Sequence, residues 1–188
     1  LSAEDVIINA TSIFVSDESI SFSGDFQTDT DSNLQLGGSA GSNVSFGSFS
    51  SNQGNVFLDG SATSTFSVTN GSLLNAGFMG SFDTNTANLL PNQIDADIVN
   101  LPTGLIFVGH DLNIINNSTL DVRDGTVIIQ PLETLSLDGT LIVDSDTDLL
   151  NGGLTGTTTG TLELVGVSSI QIDGAYTINS FAPKLLFS

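Results

Sequence analysis

Apolar residues return along this chain as pairs two positions apart: Ile20/Phe22, Leu34/Leu36, Val44/Phe46, Val56/Leu58 and Phe66/Val68, each bracketed by turn residues. Alternation with period two places both members of a pair on one face of a strand. In the second half the pairs come faster: Leu112/Ile114, Leu120/Val122, Val127/Ile129, Leu135/Leu137, Leu141/Val143, then Leu162/Leu164, Ile170/Ile172 and Tyr176/Ile178. No stretch shows helical periodicity, and Gly, Asn, Asp, Ser and Thr cluster between the runs. The pattern predicts an all-β protein.

The spacing predicts how the strands are arranged. An antiparallel sandwich places strands about 8–12 residues apart with hairpins between them. Here the gaps are often too short for hairpins and fit corners instead. A chain that turns a corner after each short strand, and closes a turn every three strands or so, is a parallel β-helix (β-solenoid). Its interior stacks Leu, Ile, Val and Phe, while its corners take Asn, Asp, Gly and Thr. The 12 Phe are expected in the interior ladders. A β-sandwich or jelly roll is the alternative, because no strict repeat is visible. The whole chain, 1–188, reads as one β-rich domain. Asp83 to Gly104, with Pro91 and Pro102, interrupts the rhythm as a loop, an enlarged turn, or an irregular joint (84–104) between two sub-arrays, 1–83 and 105–188.

Composition narrows the partners. Against 21 acidic residues stand only Arg123 and Lys184, a formal net charge of −19. Nucleic acid and anionic membrane are excluded by repulsion where counterion release would normally help. With only 12% of residues charged, most of the polar surface is Ser, Thr, Asn and Gly, a neutral coat that suits an extracellular or cell-surface protein. A hydrophobic fraction of 39% supports a folded core. There is no Cys, hence no disulfide framework, thiolate metal site or Cys nucleophile. No run approaches the roughly 18 apolar residues of a membrane span, so membrane insertion is not expected. The opening LSAEDV reads as a mature, processed or excised segment.

Gly54 to Ser81 (GNVFLDGSATSTFSVTNGSLLNAGFMGS) and Ala3 to Gly24 (AEDVIINATSIFVSDESISFSG) resemble the β-helical repeats of filamentous haemagglutinin-like surface proteins. The resemblance rests on Gly54-Asn55-Val56 and Asn70-Gly71-Ser72. It implies an extracellular, non-catalytic β-helix used for adhesion, as a stalk or in surface structure. The chain departs from that family in lacking a regular turn length.

Candidate chemistry is sparse. His110 is the only histidine, beside Asp111 in VGHDLN, with no nucleophile-elbow motif, and is expected as a solvated or turn-capping residue. Asp95 and Asp97 could form the carboxylate pair of a polysaccharide-active β-helix, but the chain has no Trp and one Tyr to hold sugar rings. Calcium is the cofactor the composition favours. Asp144, Asp146 and Asp148 alternate, with Asn151 just beyond, and Asp25, Asp29 and Asp31 form a second oxygen-rich cluster with Asn33. Asp and Asn are also good corner residues, which gives both clusters a plain structural reading. Thr155, Thr157, Thr159 and Thr161 would form one row on a strand. Glycosylation acceptor patterns occur at Asn9, Asn43, Asn70, Asn116 and Asn117.

The expectation is a structural protein of a surface filament, sheath or adhesin. It would self-associate through strand edges or apolar termini, Leu1 to Val15 or Phe181 to Ser188 being donated to a neighbour. A monomeric adhesive domain with a glycan or cell-surface partner, or a polysaccharide-active enzyme, are the alternatives.

Overall fold

A computed structural model describes residues 5–48, 50–59, 62–82, 90–130, 133–144, 148–151, 161–164, 169–173 and 184–187. The chain is a parallel β-solenoid of about six turns, with no helix among the described residues. Each turn has three strands and so three faces. The first face stacks β1 (Val6–Ile8), β4 (Phe26–Thr28), β7 (Ser50–Asn52) and the later halves of β9 (Thr65–Asn75), β11 (Asn92–Asn100), β13 (Leu112–Asp121) and β15 (Thr134–Asp144). β18 (Ser169–Asp173) continues it. The second face is a separate seven-stranded sheet: β2 (Ser12–Ser16), β5 (Asn33–Gly37), β8 (Asn55–Asp59), β10 (Phe78–Phe82), β12 (Leu105–Val108), β14 (Thr126–Ile129) and β16 (Asp148–Asn151). The third stacks β3 (Ser19–Phe22), β6 (Asn43–Phe46), the early halves of β9, β11, β13 and β15, then β17 (Thr161–Leu164) and β19 (Lys184–Phe187).

The inward pairs read from the sequence are the core. Leu34, Val56, Met79, Ile106 and Val127 stand in register on the second face, and Val44, Phe66, Ile94, Ile114 and Leu137 on the third. All ten are buried. Leu162, Leu164, Ile170 and Ile172 fall on β17 and β18, whereas Tyr176 and Ile178 lie outside the described residues. The distance between stacked residues varies from 20 positions (Val6 to Phe26) to 29 (Leu141 to Ile170), which hides the repeat. Corners absorb the difference, because only the strands must match. Within Asp83 to Gly104, β11 is a nine-residue strand paired on both sides, to β9 and β13.

The corner between third and first faces departs from the expected break after each short strand. From β9 onward the chain runs through it as one strand with a register shift, between Asp95 and Asp97 and between Ile114 and Ser118. Asn116 and Asn117 take left-handed conformations there (φ 65° and 58°), which Asn tolerates best among side chains bearing a Cβ. One turn on, Gly139 has φ 147°, and a Cβ on it would meet the Ser118 carbonyl oxygen at 1.8 Å.

The aromatic residues divide between inside and outside, contrary to the expectation that all are core. Phe26, Phe46 and Phe66 are fully buried, and the Phe46 ring lies 5.3, 4.6 and 5.4 Å from Phe22, Phe26 and Phe66. Phe14, Phe57, Phe78, Phe82 and Phe107 occupy the outward positions of the second face. Strand alternation decides this: each is next to an inward aliphatic residue.

The interior also holds a polar column that apolar patterning does not reveal. At the corner after the first face, Thr28, Asn52, Asn75 and Asn100 stack in register, all buried. The Thr28 hydroxyl donates to Asn52 Oδ1 (2.7 Å), Asn52 Nδ2 to Asn75 Oδ1 (2.8 Å), and Asn75 Nδ2 to Asn100 Oδ1 (2.8 Å). The amides also donate to the backbone carbonyls of Phe78 and Thr126, each at 3.0 Å. A second corner column runs through Ser42, Ser64 and Asn92, whose Nδ2 donates to the Leu58 carbonyl at 3.1 Å.

Two substitutions test these interiors. Asn75→Leu strands Asn52 Nδ2 and Asn100 Oδ1, each loss costing about 1–3 kcal/mol. Phe46→Ala removes the ring at the centre of the aromatic stack and is expected to cost about 3–5 kcal/mol. Urea unfolding midpoints read both, and a shift below about a third of these values contradicts the packing described.

Candidate functional site

Carboxylates at the corners are occupied by the neighbouring turn. Asp29 accepts hydrogen bonds from the Ala10 amide (3.1 Å), the Asp31 amide (3.2 Å) and the Ser32 hydroxyl. Asp25 accepts from the Ser48 hydroxyl, and its own amide donates to Asp5. Asp31 is exposed. The cluster therefore ties turns together, and among the described residues no three His, Cys, Asp or Glu side chains come together as a metal-binding group. Of the other cluster, Asp144 ends β15, Asp148 and Asn151 bound β16, and Asp146 lies outside the described residues. Thr161 opens β17, while Thr155, Thr157 and Thr159 also lie outside them.

The candidate catalytic residues are likewise engaged. Asp95 accepts from Asn116 Nδ2 at 2.7 Å and Asp97 from the Thr119 amide at 2.6 Å, so both carboxylates brace the bulged corner of the next turn. His110 is not solvated: it is 8% exposed, with Nε2 at 2.9 Å from the Leu90 carbonyl and Nδ1 at 3.9 Å from Glu133. Asp111, its sequence neighbour, accepts from the Thr134 amide at 2.6 Å instead. Asn9, Asn43, Asn70, Asn116 and Asn117 are all exposed.

Three acids carry lowered pKa values. Hydrogen bonding to the Arg123 side chain, whose guanidinium lies 2.7 Å away, holds Asp121 below the ordinary value of 3.8. The Ala40 amide lowers Asp17, and the Ser32 hydroxyl followed by the Ala10 amide lowers Asp29.

What remains unmatched is the beginning of the stack. Among the described residues β1, β2 and β3 each pair on one side only, with β4, β5 and β6. In a parallel ladder, alternate residues direct both backbone groups to the same neighbour. The bonds Val6 N to Asp25 O, Asn33 N to Thr11 O and Asn43 N to Glu18 O fix which ones face inward along the stack. Ile7, Ser12, Phe14, Ser16, Ser19 and Ser21 therefore direct their amides away from it. Between these strands the interior opens as an apolar cavity of about 70 Å³, lined by Val6, Ile8, Ile13, Val15, Ile20 and Phe22 among others. Of the four large apolar residues that are exposed, three are in this first turn: Ile7 (60%), Ile13 (38%) and Phe14 (60%). The apolar pairs alone could not reveal this opening, because inward residues look alike whether or not a turn precedes them.

The third face is different. Ser19, Asn43, Thr65, Gln93, Asn113 and Ser136 form one outward row, and Ser21, Ser45 and Ser67 another beside it. The Ser45 and Ser21 hydroxyls are 2.8 Å apart, and a shallow trough of about 170 Å³ runs between the rows.

Comparison with protein-family models, with curated proteins and with solved structures gave no match.

The lowered acids set a pH response. A folded pKa below the unfolded value contributes stability above about pH 4, and that contribution disappears as pH falls through the folded pKa. The melting temperature should be flat from pH 7 to 5 and fall below about pH 4. In Asp121→Asn the fall should be shallower; an unchanged profile counts against the Asp121–Arg123 pair.

Proposed function

We propose that this chain is a non-catalytic structural element of an extracellular or cell-surface assembly, such as a filament, sheath or adhesin, that joins copies turn upon turn through its open ends. The observation that carries this reading is the first turn, where strand edges surround an apolar opening. Uncovered edges are templates for further strands, and soluble proteins usually blunt them. A parallel turn from another copy would meet the outward-directed amides and bury Ile13 and the cavity walls in one step. The neutral polar coat supports an extracellular setting.

Donation of a terminal segment is not required. Val6–Ile8 and Ser12–Ser16 pair within their own chain, as does Lys184–Phe187. The edges themselves are the joining surfaces. The hydroxyl and amide rows of the third face favour a second reading, adhesion to a neutral glycan by a monomeric domain, since such rows offer donors and acceptors without charge. Calcium enters as a modulator of assembly, because divalent ions would reduce repulsion between copies of net charge −19.

Negative-stain electron microscopy of the purified chain, with millimolar calcium or with chelator, tests the reading. Filaments or sheets are expected. Ile13→Asp places a charge in the opening, and Ser21→Pro removes an outward-directed amide while leaving the bonds to β6 in place. Both variants should keep β circular dichroism and lose the polymers. Monodisperse wild-type particles in both buffers overturn the assembly reading and favour the adhesive one.

A further inference from the structure

The second face carries a surface unlike the rest of the molecule. Phe14, Gln35, Phe57, Gly80, Phe107 and Ile128 stand in one outward row across six strands. Phe78 and Phe82 flank Gly80, and a Cβ on that glycine would meet their rings at 2.5 and 2.2 Å. The two rings thus fold over the gap and level the face. Phe57, Phe78, Phe82 and Phe107 form one half-buried cluster, with centroids 5.5 to 6.2 Å apart.

Charge is nearly absent there. From β2 to β14 the outward positions of this face hold one ionisable residue, Asp59, to which Gln35 Nε2 donates at 3.0 Å. In a chain of net charge −19 this is the surface on which two copies meet with the least repulsion. Ring orientation argues against a sugar. Phe78, Phe82 and Phe107 stack on one another with interplanar angles of 21° to 29°. Their faces, which a sugar ring would cover, are spent on each other, and their edges point outward. A flat row of ring edges is suited to another row of apolar side chains.

We infer that two copies of this chain pack second face to second face, through the cluster of Phe57, Phe78, Phe82 and Phe107 and the flanking Ile128. Six strands about 4.8 Å apart and roughly 13 Å long give a footprint of about 300 Å² per copy. That is well under the roughly 800 Å² per partner of a standard stable interface. A single pair is therefore weak. Copies joined end to end, as in the proposed function on which this consequence rests, present many such faces in line, and avidity turns a weak contact into lateral bundling of filaments.

Sedimentation of the end-blocked Ile13→Asp variant up to about 1 mM isolates the face from end-to-end growth. A monomer–dimer equilibrium is expected. Adding Ile128→Glu, which leaves the four rings in place, or Phe107→Ser should weaken dimerisation by about tenfold or more without loss of β circular dichroism. In the otherwise wild-type chain the same substitutions should turn bundles into single filaments. A strictly monomeric Ile13→Asp variant, or dimers indifferent to Ile128→Glu, overturns the inference. A second outcome also does so: Phe107→Ser unfolding the monomer while Ile128→Glu leaves association unchanged, meaning the chain itself covers the cluster. If the wild-type chain forms no filaments yet its dimer responds to Ile128→Glu, the end-to-end reading falls and the face-to-face contact stands.

Discussion

Every residue in a parallel solenoid lies on its counterpart one turn away, and this in-register stacking governs the rest of the molecule. Neighbouring strands lie about 4.8 Å apart, so unlike side chains cannot avoid one another. Apolar columns close the interior, amide and hydroxyl columns satisfy the corners, and carboxylates are tolerated where a neighbouring amide or hydroxyl receives them. Asp29, Asp95 and Asp97 each obey that condition, with partners on an adjacent turn. What first resembles candidate chemistry is mostly the cost of turning a corner, met by side-chain acceptors.

The same constraint explains why function concentrates on surfaces. The interior is a closed set of ladders, and the acidic groups are spent on neighbouring turns. The three outward faces and the open first turn are free to differ. One face is aromatic and nearly uncharged, another is lined by Ser, Thr, Asn and Gln, and the first turn is apolar at its mouth. A scaffold that presents distinct strips along its length is suited to contacts that repeat.

Much of this was legible in the sequence for a physical reason. Inward residues come in pairs because the strands are short and alternate, so Leu34/Leu36 or Val127/Ile129 signal a strand and its buried side together. Outward residues give no such signal. Phe57 and Phe107 look like core in composition, and only register with Val56, Leu58, Ile106 and Val108 places them outside. The asparagine column left a faint trace, Asn52 and Asn75 each two residues before a glycine. That trace was indistinguishable from ordinary turn chemistry until turns of unequal length were laid on one another. His110 was misread as solvated because its partner, the Leu90 carbonyl, lies twenty residues away.

The asparagine column has one more property, which is direction. Each amide donates toward the later turn and accepts from the earlier one, and the carbonyls of Phe78 and Thr126 hold this orientation. Amides aligned in this way polarise one another and add their dipoles. The solenoid is thus electrically a vector, with its negative pole toward the first turn. Copies laid head to tail prolong that vector, whereas head-to-head contact opposes it, so a fibre of this chain would have two unlike tips.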